Sequence, residues 1–396
     1  MLTRGFRIGR LFGIDIRLDW SWALIFLLLT WNLVAVFARW HPDWSPVETA
    51  LVAALASIIF FACVLLHELA HSAVATGFGM RVRGITLFLF GGVSNIEREP
   101  PTAKAELFIA IVGPLTSVVL GVIFLVLAGA SVHGIDFSQS PRAIVGSLGP
   151  ATTLLLWLGP MNVFVGLFNC IPAFPLDGGR VLRAILWLVT GSLRKATRAA
   201  SFVGQLVAWA FVGLGVAMTF GLRIPFFGTG FIGGLWLAAI GWFLHGAALA
   251  SYRGLVVREA LEGIPVSRVM RTNVPFIEGS LPVSSLVHML VTGPDRVLPV
   301  VRGEDLIGFA GLADVRRIDR DRWEATPVSS IATPLAEWTT FAPSDDLAAA
   351  FDRLVRRGVE QAPVMQDGRV VGMLFVQDVA RWLEMQSDPG LRFSRA

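Results

Sequence analysis

Over the first 250 residues, six long apolar segments alternate with short polar connections. They lie at about 20–38, 50–76, 105–130, 151–171, 200–221 and 230–250. A helix crosses the hydrocarbon core of a bilayer in about 20 residues. The pattern therefore predicts six transmembrane helices. The stretch MRVRGITLFLFGGVSNIERE (80–99) is of another kind. Its apolar middle is too short to span and is rich in β-formers, so it predicts a β-hairpin with its turn at Gly91-Gly92, dipping into the membrane face. Backbone at that depth needs protein or a water-filled cavity to satisfy its polar groups. An ordinary surface hairpin is the alternative.

After Ala250 the pattern changes. Residues 251–396 carry 36 charged side chains, against 26 in the first 250. This predicts a soluble α/β domain reached through a linker at 251–260. The domain repeats itself: LPVVRGEDLIGFAGLADV (298–315) aligns with APVMQDGRVVGMLFVQDV (362–379) at an offset of 64. Each copy reads as two β-runs joined by a turn and followed by a helix, and two copies could bury each other's apolar faces. The expected division is a membrane domain at 1–250, repeats at 261–320 and 321–386, and a tail at 387–396.

Composition agrees. The chain of 396 residues is 54% hydrophobic and 16% charged, too apolar for an ordinary soluble protein. The first apolar stretch is expected to be a full span rather than a cleaved leader. The two cysteines, Cys63 and Cys170, both lie in apolar segments and suggest no disulfide framework. The basic excess belongs to the membrane half: residues 1–250 hold 16 Lys and Arg against 10 Asp and Glu, and residues 251–396 hold 17 against 19. That argues against a nucleic-acid partner. Thirteen of the 16 basic residues fall in 1–19, 77–104 and 172–199. By the positive-inside bias these face the cytoplasm, together with both termini and the polar domain.

His67, Glu68 and His71 interrupt the second apolar segment as HELAH. On a helix, residues four apart share a face. The spacing makes the two imidazoles ligands of one Zn²⁺, with Glu68 beside them to take a proton from water. Core histidines with a stray Glu are the bland alternative. Zinc needs a third protein ligand. Asp177, in FNCIPAFPLDGGR (168–180), is the better candidate and His245 the weaker one. His41, His133 and His288 map elsewhere. Asp-Gly-Gly reads as a tight turn that presents a carboxylate, or as a mere cap before a basic helix at 180–190. Asn169, near the end of a span, could donate to a substrate carbonyl or serve as interhelical glue. GPLTS (113–117) in the third segment could leave a gap beside the metal or simply pack.

These stretches together resemble the site-2 protease family of intramembrane zinc metalloproteases. The resemblance covers about residues 5–255, with HELAH and FNCIPAFPLDGGR as its signatures and GRLFGIDIRLDWSW as a similar N-terminal segment. It implies His67, His71 and Asp177 as zinc ligands and Glu68 as the catalytic acid/base. It also implies Asn169 as a substrate or transition-state contact, and the 80–99 hairpin as the place where an unwinding substrate pairs. One departure stands out. The family often has Asn three residues after the Pro of the GP element, and this chain has Ser117, which weakens any hydrogen-bonding role expected there and leaves the metal centre untouched.

The polar domain resembles a tandem pair of CBS domains, which often bind adenine nucleotides or form dimers. Asp314 and Asp378 match the residue that contacts the ribose. Gly311 and Phe375, three residues earlier, fit the accompanying phosphate-binding role badly. The resemblance thus implies an inner-membrane endopeptidase acting on single-pass proteins in the lipid bilayer, such as membrane-held anti-sigma factors, with a nucleotide-sensing or homodimer-forming tail. A CBS-regulated metal transporter or channel is the rival reading. It would need no Glu68 and would need paired polar groups in the spans, where the fifth offers almost none, Gln205 being its only clear polar residue.

Overall fold

In a computed structural model of the chain, Asp19 accepts a hydrogen bond from the Ser21 backbone amide and caps helix α1 (Trp20–Trp40), satisfying a donor that a helix start leaves open. The structure describes residues 5–89, 91–96, 99–131, 141–224, 228–293, 296–303 and 305–387. It divides into two units, Met1–Arg253 and Gly254–Ala396.

In the first unit α1 is followed by α2 (Pro46–Gly77), α3 (Ala103–Ser131), a short α4 (Pro141–Gly146), α5 (Pro150–Asn169), α6 (Asp177–Thr190), α7 (Leu193–Thr219) and α8 (Phe231–Leu261). Six of these, α1, α2, α3, α5, α7 and α8, are long and apolar enough to cross a membrane. Ser45, with Pro46 behind it, caps α2, and Ser192 caps α7. Several helices exceed the apolar stretches that predict them. The polar first turns of α2 and α7 lie outside any hydropathy window yet are fixed by these caps. Residues 251–260, expected to be a linker, continue α8 instead. Val257 and Leu261, one turn apart, pack on the same buried cluster, so an apolar stripe keeps this stretch helical despite its charges.

Residues 5–18, to which the sequence pattern assigns no element, form two strands: β1 (Phe6–Leu11) and β2 (Ile14–Leu18). They join β3 (Val82–Phe88) and β4 (Gly91–Ile96) in one sheet of order β1-β2-β3-β4. The β1/β2 and β3/β4 pairs are antiparallel, and β2/β3 is parallel. Ile14, Ile85 and Leu87 are buried against Val64, Leu65 and Leu69 of α2, and that apolar contact holds the sheet on the helix. The hairpin at 80–99 is present, but Phe88 pairs with Gly91 and Leu87 with Gly92. The turn therefore precedes the glycines, which open β4.

The second unit runs β5 (Ile277–Glu278), α9 (Val283–Thr292), β6 (Val297–Arg302), β7 (Asp305–Gly311), α10 (Leu312–Val315), β8 (Thr333–Pro334), α11 (Leu347–Arg357), β9 (Gln361–Gln366), β10 (Arg369–Phe375) and α12 (Val376–Ser387). Val300 pairs with Gly308 and Val364 with Gly372, so the two hairpins keep the 64-residue offset. Phe309 of one repeat shares a buried cluster with Met373 and Phe375 of the other. The expected tail lies outside the described residues from 388 onward.

Candidate metal centre

His67 and His71 stand one helical turn apart on α2, and both are buried. Asp177 is the first residue of α6, not the apex of a tight turn. A carboxylate there is favoured by the unpaired amides of the helix start. The Nε2 atoms of the two histidines lie 3.1 Å apart, and each lies 3.1 Å from the same Asp177 oxygen, Oδ2. One ligand atom from each of the three residues falls within 4.8 Å of the others.

The other ring nitrogens decide what this cluster can hold. Nδ1 of His71 lies 2.5 Å from the carbonyl oxygen of Ile109. A carbonyl only accepts, so Nδ1 carries the proton and Nε2 of the neutral ring keeps a lone pair. Nδ1 of His67 lies 2.9 Å from the Ser117 hydroxyl. With both rings oriented this way, two nitrogen lone pairs and a carboxylate oxygen converge, an arrangement that calls for a cation. Gly113 leaves the space for one: a Cβ there would collide with Nε2 of both rings. The residues fit a zinc site of two imidazoles and one carboxylate with a position left open.

Helix α6 is tied down by Arg183, which pairs with Glu106 of α3, reaches Glu99 at 3.2 Å and lies over the Phe174 ring. Arg183 and Glu106 are both buried. Glu68 is half-buried beside His67. Its Oε2 accepts a hydrogen bond of 2.8 Å from the Ser94 hydroxyl of β4.

Of the candidates read from sequence, the structure brings together His67, His71 and Asp177. Asn169 ends α5 and donates to the carbonyl of Val165 at 3.0 Å, with no hydrogen bond to these three. His245 lies beside Trp209 and Trp242 instead, His41 pairs with Thr153, and His133 lies outside the described residues. Ser117 is a correction: the position expected to have only a weakened hydrogen-bonding role, with no bearing on the metal centre, makes the hydrogen bond that orients His67. A hydroxyl reaches the imidazole because Gly113 and Ser117, one turn apart on α3, face the same ligands. Arg183, Glu106 and Ser94 had no sequence signal, since each finds its partner only through the tertiary fold.

In the second unit, Asp314 accepts from the Gly311 amide at 3.0 Å and lines a cavity of about 290 Å³ with Arg317, Ser330, Thr333 and Glu337. Asp378 differs. Arg271 donates to both of its oxygens, at 2.6 and 2.8 Å, and stacks 4.4 Å over the Phe375 ring.

Membrane-crossing helices closed around a histidine–carboxylate cluster, followed by a doubled α/β unit, define a multi-pass metalloprotein with an appended domain pair. Residues 55–211 match the model of peptidase family M50, and residues 266–321 and 328–385 match that of the CBS domain. Rip3 of Mycobacterium tuberculosis, named as a candidate zinc metalloprotease, is 32% identical over 381 residues, covering 96% of this chain and 92% of its own. The protein sll0528 of Synechocystis, named likewise, is 31% identical over 97% of this chain and 96% of its own. Zinc metalloprotease MJ0392 of Methanocaldococcus jannaschii is 28% identical over 84% and 86%. The chain belongs to peptidase family M50: it is a multi-pass membrane zinc metalloprotease carrying a pair of CBS domains.

Proposed function

We propose that the protein cleaves transmembrane segments of single-pass membrane proteins, with His67, His71 and Asp177 holding the zinc and Glu68 moving the proton. The convergence of two ring nitrogens and one carboxylate oxygen, with Glu68 one residue from a ligand, carries this reading. Bound there, zinc supplies Lewis-acid chemistry that acidifies water and polarises a carbonyl. Glu68 takes the proton of the attacking water and returns it to the leaving nitrogen. Ser117 and the Ile109 carbonyl keep the imidazoles aimed at the site.

A transmembrane helix hides its carbonyls in its own hydrogen bonds, so the substrate must unwind locally. The outer edge of β4 carries no further strand among the described residues and would hold the extended segment by strand addition. Asn169 gives one amide N–H to Val165, and its second N–H would serve as the donor to the substrate. The charge bias of the connecting segments favours cytoplasmic termini and inward release of the products.

The substrates in this reading are membrane-held regulators such as anti-sigma factors, and the CBS pair regulates the protease. The cavity at Asp314 favours that site for an adenine nucleotide, because Arg271 grips both Asp378 oxygens at 2.6 and 2.8 Å, whereas Asp314 holds only the Gly311 amide, a 3.3 Å bond from Thr333 and the exposed Arg317 at 3.6 Å. The same pair is the candidate surface for a homodimer.

Zinc content tests the ligand set. Purified His67→Ala, His71→Ala and Asp177→Ala should each lose bound zinc, while Glu68→Gln should keep zinc and lose cleavage. Full zinc in all three ligand variants would refute the assignment.

A further inference from the structure

Strand β4 touches Glu68 at two points. The backbone at Gly92 packs so closely on it that a Cβ there would collide with Glu68 Cγ. Two residues further on, the Ser94 hydroxyl donates to Glu68 Oε2 at 2.8 Å. Gly92 and Ser94 share a strand face by the period of two. The outward alternates, Val93 and Asn95, are exposed.

The Ser94 hydroxyl has one proton and two acceptors in reach: Glu68 Oε2 at 2.8 Å and the Glu68 carbonyl at 3.3 Å. The shorter bond to the charged oxygen is the stronger one. The Ser72 hydroxyl donates to the Glu68 carbonyl at 2.9 Å and lies 3.3 Å from Ser94 Oγ, so the carbonyl is already satisfied and the Ser94 proton is left for the carboxylate. Among the described residues no protein donor reaches the other oxygen, Oε1.

We propose that Ser94 is a positioning residue for the hydrolysis, holding Glu68 by Oε2 so that Oε1 stays free to exchange a proton with water. The proposal rests on the reading of Glu68 as acid/base. It also gives β4 a second task. The strand whose outer edge would take an extended substrate is the strand whose inner face restrains the carboxylate, so seating a substrate on one edge fixes the base on the other side. A general base held out of line loses rate without losing substrate or metal, because neither depends on which rotamer it adopts.

The test uses detergent-purified full-length protein loaded with zinc, with fluorescein-labelled β-casein as probe. Ser94→Ala should lower kcat about 10-fold or more, leave KM within about twofold and leave zinc content unchanged. Ser94→Thr, which restores the hydroxyl, should recover most of the rate. If Ser94→Ala keeps the wild-type kcat while Glu68→Gln is inactive, the positioning role is refuted and the role of Glu68 stands. If Glu68→Gln keeps the wild-type rate, both fall. Loss of zinc from Ser94→Ala, or no recovery in Ser94→Thr with zinc intact, would mean that Ser94 serves the fold and not the base.

Discussion

Ser117 and His67 are joined by a hydrogen bond of 2.9 Å between the hydroxyl and Nδ1, across α3 and α2. It is the outer support of a metal ligand, and such partners fix the tautomer and the aim of an imidazole. Its counterpart on His71 is a backbone carbonyl, which no substitution removes.

Ser117→Ala should therefore weaken zinc binding about 10- to 100-fold without changing the fold. Competition against a chromogenic chelator measures this. An unchanged affinity would mean that the packing of α2 on α3 orients the ring by itself.

Arg183 and Glu106 form a buried ion pair, and Oε2 of Glu106 has no hydrogen bond among the described residues. Removing Arg183 strands a buried carboxylate, at a cost of about 3–5 kcal/mol. Arg183→Ala should lower the thermal midpoint in detergent well below that of the double variant Arg183→Met/Glu106→Gln, which removes both charges. Equal losses would show that packing, not charge, holds α6 on α3.

The two CBS carboxylates should behave differently towards nucleotides. Titration of full-length protein with AMP, ADP and ATP should show binding that Asp314→Ala weakens about 10-fold or more, the scale of a lost charged hydrogen bond. Asp378→Ala should leave that binding unchanged, since Arg271 occupies its carboxylate. Absence of binding by all three nucleotides would remove the sensor and leave the pair a structural role.

Metal removal should be reversible. A chelator should abolish cleavage, and added zinc should restore it. Because metal ligands must be deprotonated, zinc should also be lost progressively as the pH falls. An imidazole takes up a proton at a higher pH than a carboxylate does, so the two histidines set the onset of this loss, and direct measurement of zinc content against pH checks it.

Much of this architecture is legible in the chain because its signals are local. The spacing of His67 and His71 places two ligands on one helical face, and the apolar lengths announce six spans. The 64-residue offset likewise announces two similar hairpins. What stays hidden is non-local. Ile14, Asp15, Ile16, Arg17 and Leu18 alternate as a strand does, but β2 pairs in parallel with β3 nearly 70 residues later, and nothing local names that partner. Gly91-Gly92 reads as a turn signal, whereas Gly92 is there to let the strand approach Glu68. Ser117 reads as a weakened substitute only when one residue type is compared with another, without the ring it faces. The charges of 251–260 suggest solvent and a linker, while Val257, one turn before the buried Leu261, packs with it on one cluster and keeps the segment amphipathic and helical.

The central claim is proteolysis driven by Glu68 beside a zinc held by His67, His71 and Asp177. Quantitative proteomics of the membrane fraction, comparing cells expressing the wild-type chain with cells expressing Glu68→Gln, tests it most directly and works without a named substrate. Short single-pass stubs should accumulate only with Glu68→Gln, and those stubs are the substrates. If the same stubs disappear equally in both, with Glu68→Gln still holding zinc, then Glu68 is not the acid/base and the central claim is contradicted.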